Sequence, residues 1–559
     1  MEIKAIEKCN PKPDEHVSPI FLVPKSNGEK RFILNLKRLN RFIRNSHFKM
    51  EDLRTARRLM SPGCYFVSID IKDAFFHVNI IPHCRRFLRF KWNGTTYEFG
   101  CLPFGLCTAP RVFTKLMKPI MNLLRSENIS CVIYIDDLLL IANSYQECLV
   151  NIDFSMNLLT KLGFQINTCK SVLTPTQKIK FLGFELDSTS CCVRLSDEKA
   201  HNLRNLCTSI KNKNVVSIRE LSKVIGTMIS VTPAVTYGLL YTRQLEFHKI
   251  NSLSDHHGNF EAKITLSKEC LFDIDWWLRN SQNSSTPVRV DVFSHTMFTD
   301  ASKTGWGAVC GSQRAGGAWK SSQSSNSINY LELLAVYYGL RSFFNNSHNL
   351  QLLLRIDNTT AICYINRMGG VKHRSLNILA RKIWQWCEAR QLWINATYIT
   401  SRDNFNADKE SRRLYSAEWS LDSFSYNLII TNLGYTPKID LFASTSNYKC
   451  PMFVSWRPDP YAWAVDAFTI PWNHLEFYAF PPFSLILRVL QKIISDHATG
   501  ILIVPLWPTQ PWFPLFNKLC VNKIILPPDK FCLSLHSNPH PLSRSLFLVA
   551  GLLSGKLSS

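Results

Sequence analysis

Short apolar runs typical of strands recur along the chain, and one of them carries two acids at its centre. Residues 131–142 read Cys-Val-Ile-Tyr-Ile-Asp-Asp-Leu-Leu-Leu-Ile-Ala, so Asp136 and Asp137 interrupt an almost wholly apolar segment. Its short, β-branched flanks favour a hairpin of two strands over a helix. Because buried charges need a partner, this turn is expected to present carboxylate to a cation. An ordinary polar hairpin turn is the alternative for an isolated Asp-Asp pair.

The same patterns divide the chain into segments of different character. The predicted segments are a flexible, polar lead-in at 1–17, mixed strands and helices at 18–190, a helical segment at 191–283, a linker at 284–287, a second α/β segment at 290–412, a linker at 413–429 and a third α/β segment at 430–559. Within the helical segment, Ser217 followed by Glu220 is typical of a helix cap. The predicted fold class is therefore α/β and α+β, in several domains.

Composition narrows the class of protein. A length of 559 residues is enough for about three or four domains, each with a core of its own. The hydrophobic content of 46% and the aromatic content of 12% exclude a mainly disordered chain. The net charge of +23 favours a polyanionic partner such as nucleic acid, although a merely soluble basic protein would share it.

The cysteines and the absence of targeting signals bear on the compartment. The 18 cysteines include no Cys-x-x-Cys pair, which disfavours zinc ribbons and knuckles. The chain shows no signal peptide and no apolar run of the roughly 18 residues that a spanning helix needs. We therefore expect an intracellular protein, in the cytoplasm or the nucleus, with reduced thiols and no membrane partner.

A third acid, Asp70, suggests that the Asp-Asp pair belongs to a metal-binding site. Asp70 ends the strand-like run 65–70, and Asp73 follows three residues later. Asp70, Asp136 and Asp137 would place three carboxylates around two hard divalent cations, for which carboxylate oxygens are suitable ligands. Two such cations about 4 Å apart can activate a 3′-hydroxyl and steady a departing pyrophosphate. The three acids thus predict a nucleotidyl-transfer site.

Six motifs, in order, resemble the fingers and palm of a retroelement reverse transcriptase. They are the basic fingers hairpin at 23–35, the first palm motif at 70–76, the template- and dNTP-positioning motif at 102–110, the signature hairpin at 134–137, the segment with a late Lys at 162–170 and the primer grip at 181–183. The resemblance implies a right-hand polymerase, with fingers and palm at 18–190 and thumb and connection at 191–283. Asn35 stands where the family often has Asp, which costs a charge but no expected metal ligand.

The resemblance also implies roles for individual residues. Lys25 and Arg31 would neutralise triphosphate oxygens, and Arg can do so bidentately. Phe75 is at the sugar-gate position, where a ring leaves little room for a 2′-hydroxyl, and Lys170 would protonate the leaving pyrophosphate. Phe104 and Gly105 would lie under the template base and the incoming nucleotide. Substrate contacts are implied for Lys25, Arg31, Asp73, Phe75, Phe104, Gly105 and Lys170, and metal ligation for Asp70, Ile71, Asp136 and Asp137.

A second set of acids follows in the segment 290–412. The four are Asp300 at the end of a short strand before Gly305 and Gly307, which permit a hairpin; Glu332 in a buried amphipathic helix at 329–337; Asp357 after the apolar strand 352–356; and Asp408 in the polar segment 404–412. A glutamate in a core is rare unless it is paired or binds a metal. Four unrelated surface acids are the alternative.

This Asp–Glu–Asp–Asp order resembles the ribonuclease H fold, which implies catalysis and metal ligation by Asp300, Glu332, Asp357 and Asp408. Four carboxylates that hold two Mg²⁺ ions suit hydrolysis of a phosphodiester by a metal-activated water. The family often carries a His a few residues before its last Asp, at a place near Tyr398 in this chain. Its absence here implies slower turnover rather than loss of activity.

The segment 430–559 is rich in proline and aromatic residues, and its order of motifs resembles a phage-type Dam-like adenine-N6 methyltransferase. The family's Asp- or Asn-Pro-Pro-aromatic loop begins here with Phe480, which cannot accept a hydrogen bond from an adenine amino group. No Gly-rich loop for S-adenosylmethionine is evident, so this cofactor is not expected. We expect a methyltransferase-like α/β fold with lost or altered chemistry, and a Pro- and Trp-rich structural domain is the alternative.

Taken together, the three segments resemble the polyprotein of DIRS/Ngaro-type retrotransposons. The resemblance implies an RNA-directed DNA polymerase with ribonuclease H activity that uses Mg²⁺, with Mn²⁺ as an alternative. Its implied partners are an RNA template, a DNA primer, the RNA–DNA hybrid, dNTPs and a separately encoded tyrosine recombinase. Two alternatives remain: a domesticated, inactive nucleic-acid-binding protein, and a polymerase with a working adenine-N6 methyltransferase. The intact carboxylates argue against the first.

Overall fold

The structure is a computed structural model that describes residues 5–24, 30–44, 46–282, 284–289, 292–413, 419–528, 532–534, 541–542 and 544–556. The chain forms two compact units, Met1–Val290 and Asp291–Ser559. None of the helices in the described ranges has both the length and the apolar character needed to cross a membrane.

The first unit contains fifteen strands and nine helices within its described residues. The strands are β1 Ile6–Lys8, β2 Ile20–Pro24, β3 Lys30–Leu34, β4 Tyr65–Asp70, β5 Arg89–Trp92, β6 Thr95–Phe99, β7 Ser130–Tyr134, β8 Asp137–Ala142, β9 Val172–Thr176, β10 Lys178–Phe181, β11 Phe184–Asp187, β12 Cys192–Leu195, β13 Val216–Ser217, β14 Lys263–Ile264 and β15 Ser285–Pro287. The helices are α1 Lys37–Asn40, α2 Leu53–Leu59, α3 Pro82–Arg85, α4 Ala109–Ser126, α5 Tyr145–Lys161, α6 Asp197–Lys211, α7 Ile218–Val231, α8 Arg243–Asp255 and α9 Lys268–Asn280.

A four-stranded antiparallel sheet with the order β7-β8-β4-β9 forms the centre of this unit. Both of its faces are buried. Val67 and Leu138 belong to the core that also contains Phe113 of α4, whereas Phe66 and Leu139 pack in a second core with α2 and β10. Successive residues of a strand point to opposite faces. Two covered faces therefore explain why the run 131–142 is apolar at almost every position.

Two parts of this unit differ from the prediction. Residues 6–8, expected in a flexible lead-in, form β1 and pair with β6. Nearby, Glu15 lies 2.7 Å from the guanidinium of Arg89, which is 3% exposed, and a buried charge of this kind requires a fixed partner. Residues 285–287, expected in a linker, form β15 and pair with β12.

The helical segment 191–283 contains α6 to α9, as predicted. Ser217 and Glu220 form a complete capping box at the start of α7, because the Ser217 Oγ accepts from the Glu220 amide and the Glu220 carboxylate accepts from the Ser217 amide. The burial of Leu221, Val224 and Ile225 on one side of α7 fits the spacing of an amphipathic helix.

The second unit contains fourteen strands and eight helices within its described residues. The strands are β16 His295–Ala301, β17 Gly305–Cys310, β18 Gln313–Ala318, β19 Gln351–Ile356, β20 Trp393–Tyr398, β21 Trp419–Leu421, β22 Ile439–Asp440, β23 Met452–Ser455, β24 Ala464–Val465, β25 Glu476–Ala479, β26 Thr499–Pro505, β27 Cys520–Leu526, β28 Cys532–Ser534 and β29 Leu548–Ser554. The helices are α10 Ser321–Ser324, α11 Ile328–Phe344, α12 Thr359–Asn366, α13 Arg374–Glu388, α14 Phe405–Ser411, α15 Ser423–Leu433, α16 Ile486–Ser495 and α17 Phe513–Leu519.

A five-stranded sheet, here called the middle sheet, has the order β18-β17-β16-β19-β20. Strands β16, β17 and β18 form an antiparallel meander, and β19 and β20 extend the sheet in parallel with β16. Helix α11 is not amphipathic as predicted, because every residue from 331 to 340 is buried. A helix that is apolar all round lies inside a core, so Glu332 is enclosed on every side.

A seven-stranded sheet, here called the C-terminal sheet, has the order β24-β23-β22-β25-β26-β29-β27. Strands β22 to β26 are parallel, and β29 is inserted antiparallel between β26 and β27. Ile486, Val489 and Ile493 of α16 pack against it. The linker predicted at 413–429 is partly structured: β21 pairs with β28, and α15 begins at Ser423.

Candidate active sites

The first acidic site, defined as Asp70, Asp136 and Asp137, lies at one end of the central sheet of the first unit. Asp137 begins β8 and Asp70 ends β4, and the two residues are paired in the antiparallel register. Ile135, at the turn before them, has a φ of 56°. A left-handed conformation is uncommon for a β-branched residue, so the turn is held in a strained form that keeps Asp136 beside the strand ends.

Hydrogen bonds tie Asp70 and Ile71 to the hairpin on one side and to the segment 167–171 on the other. The Ile71 amide donates to the Asp136 carbonyl at 2.9 Å. On the other side, the Asp70 amide donates to the Ser171 Oγ at 3.0 Å and the Asn167 amide donates to the Asp70 carbonyl at 2.8 Å. The hairpin and the segment that carries Lys170 are thereby tied to Asp70, the last residue of β4, and to Ile71, which follows it.

Two carboxylates of this site, those of Asp136 and Asp137, have raised pKa values. Burial, followed by the negative charges of Asp136 and Asp70, raises the pKa of Asp137 to about 6. Burial and the charge of Asp70 also raise the pKa of Asp136, and in both cases the cation of Lys170 acts in the opposite direction. Crowded, partly buried anions are costly in the absence of a cation.

The three acids of this site are close without converging. Within the described residues, they do not place one oxygen each within 4.8 Å of the other two, a condition that only the second acidic site meets. Like charges repel one another, and Asp136 lies in the turn whereas Asp137 begins β8. The donor set, carboxylate oxygens alone, nonetheless suits a hard divalent cation.

The residues expected to surround the nucleotide form one aromatic cluster. Phe75 is 6% exposed and its ring lies 5.0 Å from that of Phe104 and 5.9 Å from that of Phe113. Phe104 is 45% exposed, so its ring offers an open face beside the buried Phe75. Asp73 precedes the 3-10 helix Ala74–His77, which carries Phe75, and has a left-handed φ of 49° and an exposed side chain.

Asn40 is a residue of this region that the sequence analysis missed. Its side-chain amide donates to the Gly105 carbonyl at 2.9 Å and accepts from the Cys107 amide at 3.0 Å. Gly105 has a φ of 96°, and an added Cβ would lie 3.3 Å from the Leu34 carbonyl oxygen. Asn40 therefore holds the loop of Phe104 and Gly105 in a conformation that requires glycine.

The remaining predicted substrate residues are Lys170, Arg31 and Lys25. Lys170 is exposed, and its charge acts on both Asp136 and Asp137. Arg31 lies on β3, opposite Val23 in the antiparallel pair β2–β3, which agrees with the predicted hairpin. Lys25 lies outside the described residues.

The second acidic site, defined as Asp300, Glu332, Asp357 and Asp408, lies on the middle sheet. Asp300 stands near the end of β16, Asp357 follows β19, and Glu332 lies on α11, which packs on the sheet. Asp300, Glu332 and Asp357 each bring a carboxylate oxygen within 4.8 Å of the other two. The parallel pairing of β16 and β19 places their ends at the same edge, which is why acids 57 residues apart meet.

Glu332 is the most perturbed acid of this site. Burial, followed by the charges of Asp300 and Asp357, raises its pKa to about 9. Its side chain is 4% exposed, and its Oε2 has no hydrogen-bond partner among the described residues. An orphaned carboxylate oxygen beside two further carboxylates is the arrangement that a cation would complete. The residues at this site therefore fit a divalent metal ion.

Asp408 reaches the site through α14 but is not one of the three converging acids. Its charge raises the pKa of Asp300, together with burial and the charge of Asp357, while its own carboxylate is held by Arg412 at 2.8 Å. The Ser411 hydroxyl of the same helix donates to Asp300 Oδ2 at 2.5 Å.

The glycines of β17 lie in the predicted hairpin of β16 and β17, and they also allow this helix to approach closely. A Cβ added to Gly307 would lie 2.3 Å from the Ala407 carbonyl oxygen and 2.6 Å from the Ser411 nitrogen. Helix α14 thus rests directly on the backbone of β17, which brings Asp408 towards Asp300. Glycine at this position is a requirement of close backbone approach.

Comparison with known proteins identifies the family of the segment that contains the first acidic site. Residues 23–186 match the family model described as reverse transcriptase (RNA-dependent DNA polymerase), so the chain carries a reverse transcriptase domain. It is 22% identical over 395 residues to an enzymatic polyprotein of figwort mosaic virus, covering 66% of this chain and 54% of that protein. It is 23% identical over 446 residues to the enzymatic polyprotein of cauliflower mosaic virus (strain Strasbourg), covering 74% and 60%.

A shorter match extends to a mobile element. Over 174 residues, the chain is 30% identical to the retrovirus-related Pol polyprotein from transposon opus of Drosophila melanogaster, which covers 30% of this chain and 17% of that protein. The chain spans a little over half the length of the viral polyproteins, 54% and 60% for the two above. Its relatives are thus retroviral and retrotransposon-type polyproteins.

Among solved structures, the chain is similar to a foamy viral protease-reverse transcriptase in complex with double-stranded DNA. The TM-score is 0.45 with 17% sequence identity, and the match covers 70% of this chain and 67% of that one. The same kind of protein in complex with an RNA/DNA hybrid matches with a TM-score of 0.43, 15% identity and coverage of 70% and 51%.

Proposed function

We propose that this protein is an RNA-directed DNA polymerase that copies retroelement RNA into DNA at the first acidic site. The observation that carries the proposal is the pairing of Asp70 with Asp137 at the ends of β4 and β8, with Asp136 in the adjoining turn. These acids lie inside the segment 23–186, which matches the reverse transcriptase model. The aromatic cluster of Phe75 and Phe104 beside them offers a surface for a base and a sugar.

In this proposal Asp70, Asp136 and Asp137 hold the divalent metal, Mg²⁺ or Mn²⁺. The bound metal would supply charge neutralisation of the triphosphate and a lowered pKa for the primer 3′-hydroxyl. Phe75 excludes a 2′-hydroxyl, so deoxynucleotides are selected. Lys170 donates a proton to the leaving pyrophosphate, for which its exposed ammonium beside the two acids is suited.

We further propose hydrolysis of the RNA strand of the hybrid at the second acidic site. Two observations favour it: Asp300, Glu332 and Asp357 converge, and Glu332 Oε2 has no hydrogen-bond partner among the described residues. These three would hold metal, and bound metal would supply an activated water. Asp408, paired with Arg412, completes the set of four acids from the neighbouring helix.

Primer extension on poly(rA)/oligo(dT) with dTTP and Mg²⁺ tests the polymerase, and release of short fragments from a labelled RNA in an RNA–DNA hybrid tests the nuclease. Incorporation that requires metal supports the first proposal. Its absence would favour a domesticated nucleic-acid-binding protein, for which the net charge of +23 would suffice. The two assays report separately on the two sites.

The C-terminal sheet supports a methyltransferase-like fold with altered chemistry, because its parallel strands place the 480–483 loop after β25. Phe480 in that loop is 9% exposed and offers no acceptor for an adenine amino group. With this domain, we propose that the chain comes from a retroelement of the DIRS/Ngaro type. Such an element would act inside the cell and use a separately encoded tyrosine recombinase. Calorimetric binding of S-adenosylmethionine would instead support a working methyltransferase.

A further inference from the structure

A cavity of about 520 Å³ lies at the carboxyl ends of the parallel strands of the C-terminal sheet. Its walls include the segments that follow β22, β23 and β25. From β22 the chain continues outwards to β23 and β24 on one side, then returns to β25 on the other side of β22. Ligands of open α/β sheets bind in the crevice at such a reversal of strand order, and the volume is within the range of small-molecule sites.

The middle sheet provides the opposite wall of this cavity, through β17, β18 and α11. Tyr461 joins the two sides, since its ring lies 5.8 Å from that of Tyr338 and 4.3 Å from the guanidinium of Arg341. None of the acids of the two acidic sites lines the cavity. It is therefore a third site, enclosed by two parts of the second unit.

Two carboxylates, those of Asp459 and Asp440, hold the loops at the cavity in place through hydrogen bonds. Asp459 accepts from the Thr445 amide at 2.9 Å, from the Thr445 hydroxyl and from the Tyr461 amide at 2.9 Å. Asp440, 2% exposed, accepts from the Phe442 and Lys449 amides at 3.3 and 3.1 Å. Asp459, the one acidic side chain that lines the described part of the cavity, thus fixes these loops and keeps its negative charge.

Cations at the cavity outnumber this acid. Lys320, Arg413 and Arg457 all line it. Arg413 shares the carboxylate of Glu410 at 3.5 Å, whereas Lys320 and Arg457 have no carboxylate partner within the described part of the chain. An arginine without a carboxylate partner suits a phosphate, which it can bind bidentately.

Aromatic rings form the rest of the lining. Trp306, Trp419, Trp456 and Phe483 contribute rings, and Trp456 is 64% exposed. Trp306 is 4% exposed, and its indole N–H makes no hydrogen bond to any described residue. Stacking on such rings stabilises a bound base and tolerates every base, because each base has a π-face. A flat heterocycle with an acceptor would satisfy both the rings and the free N–H.

We propose that this cavity binds a nucleotide, with its base among the tryptophan and phenylalanine rings and its phosphate at Arg457 and Lys320. The phosphate distinguishes this ligand from S-adenosylmethionine, which carries none. The nucleotide could be free in solution or be an unpaired residue of a nucleic-acid strand, because both present the same base and phosphate.

Calorimetry with the full chain tests the proposal, with AMP as the probe and EDTA present to suppress metal-dependent nucleotide binding at the acidic sites. AMP is expected to bind with a stoichiometry of about one, and Arg457→Gln to weaken it by about tenfold, the effect of losing one charged hydrogen bond. Lys320→Gln is a second variant with the same expectation. Lys518→Gln removes an equal charge from α17, outside the cavity, and should leave binding unchanged.

Two further ligands separate the outcomes. Adenosine should bind more weakly than AMP and equally to the parent protein and to Arg457→Gln. Displacement of AMP by a 5′-phosphorylated oligo(dA) at lower concentration than AMP itself would identify a nucleic-acid strand as the source, and equal displacement a free nucleotide. No AMP binding, binding unaffected by both variants, or binding of S-adenosylmethionine but not AMP would each overturn the proposal, whatever the polymerase assay shows.

Discussion

Asp70 and Asp137 occupy paired positions on two adjacent antiparallel strands. Directly paired residues present their side chains on the same face of a sheet, so the register of β4 against β8 brings together two carboxylates that are 67 positions apart. A slip of one residue would turn one acid to the opposite face. The apolar residues on both faces of β8, which fix this register, are therefore part of the site.

The first prediction concerns the pH dependence of primer extension. The pKa of Asp137 is raised from the ordinary value of 3.8 to about 6. Below a pH of about 6 the carboxyl therefore holds a proton, which must leave before a cation binds. At subsaturating Mg²⁺, primer extension should fall as the pH drops through about 6 and be flat above 7. Rates measured from pH 5 to 9 check this. A profile flat down to pH 5 at subsaturating metal would contradict it.

The second prediction concerns the stability of the metal-free protein. The folded pKa of Glu332 is about 9 and the ordinary value is 4.5, so the folded state holds a proton that the unfolded state releases between these values. Stability contributed by this residue therefore falls as the pH rises from 4.5 to 9. Glu332→Gln should raise the free energy of unfolding by about 1–3 kcal/mol at pH 8 and by less at pH 5.

Urea unfolding in EDTA at the two pH values measures this difference. The control is Glu410→Gln, because Glu410 is equally buried but is paired with Arg314 and Arg413, so its neutralisation should destabilise. Addition of Mg²⁺ should stabilise the parent protein more than Glu332→Gln, because the first acidic site is intact in both proteins. A Glu332→Gln protein that is less stable than the parent in EDTA at pH 8 would show that the carboxylate is not under strain.

The third prediction concerns the sugar of the nucleotide. Phe75→Val removes the ring that packs against Phe104 and Phe113, so ribonucleotide incorporation relative to deoxynucleotide should rise by about 10- to 100-fold, the range for a steric pocket contact. Phe76→Val is a matched control, because the Phe76 ring also contacts Phe104 but is not at the implied gate. Equal effects of the two variants on kcat/KM for UTP against dTTP would argue against the gate.

The fourth prediction concerns Lys199 as a positioning residue for the implied primer grip. Its ammonium donates to the Leu182 carbonyl at 2.9 Å and lies 4.2 Å from the Phe184 ring centre. Leu182 has a φ of 51°, so this turn between β10 and β11 needs support. Lys199→Met should raise KM for the primer-template by about three- to tenfold, the effect of one net hydrogen bond, and leave kcat nearly unchanged.

Lys211→Met is the control for this change, since it removes a lysine from the same helix that pairs only with surface Asp275. Lys199→Arg, which retains a donor, should recover part of the affinity. A loss in kcat with unchanged KM would exclude a role in holding the primer.

The elements of the two acidic sites could be predicted because local pattern determines them. The apolar flanks of Asp136 and Asp137 indicate a hairpin, and an acid such as Glu332 within an apolar helix indicates an enclosed charge. The role of Asn40 could not be predicted, because its partner Gly105 is 65 residues away. A single asparagine also belongs to no hydrophobic pattern that would mark it. The same holds for Glu15, whose partner Arg89 is 74 residues away. The polar composition of residues 1–17 therefore gave no sign that Glu15 is held by an ion pair.

The cavity of the third site shows the same limit. Phe480 and its prolines are recognisable as a motif, but Trp306 of β17 and Tyr338 of α11 belong to the middle segment of the chain and line the cavity only in the folded unit. The requirement for glycine at position 307 could not be predicted either, because it comes from the close approach of α14, a hundred positions later.

The measurement that tests the central claim most directly is Asp136→Asn, assayed in parallel for primer extension and for hybrid cleavage. The substitution keeps the shape of the turn and removes one charge from the first acidic site only. Primer extension should fall by about 10³-fold or more, because several kcal/mol of transition-state stabilisation depend on the metal, while hybrid cleavage stays at the parent rate. If both activities fell together, or if neither changed, two independent acidic sites on one chain would be contradicted.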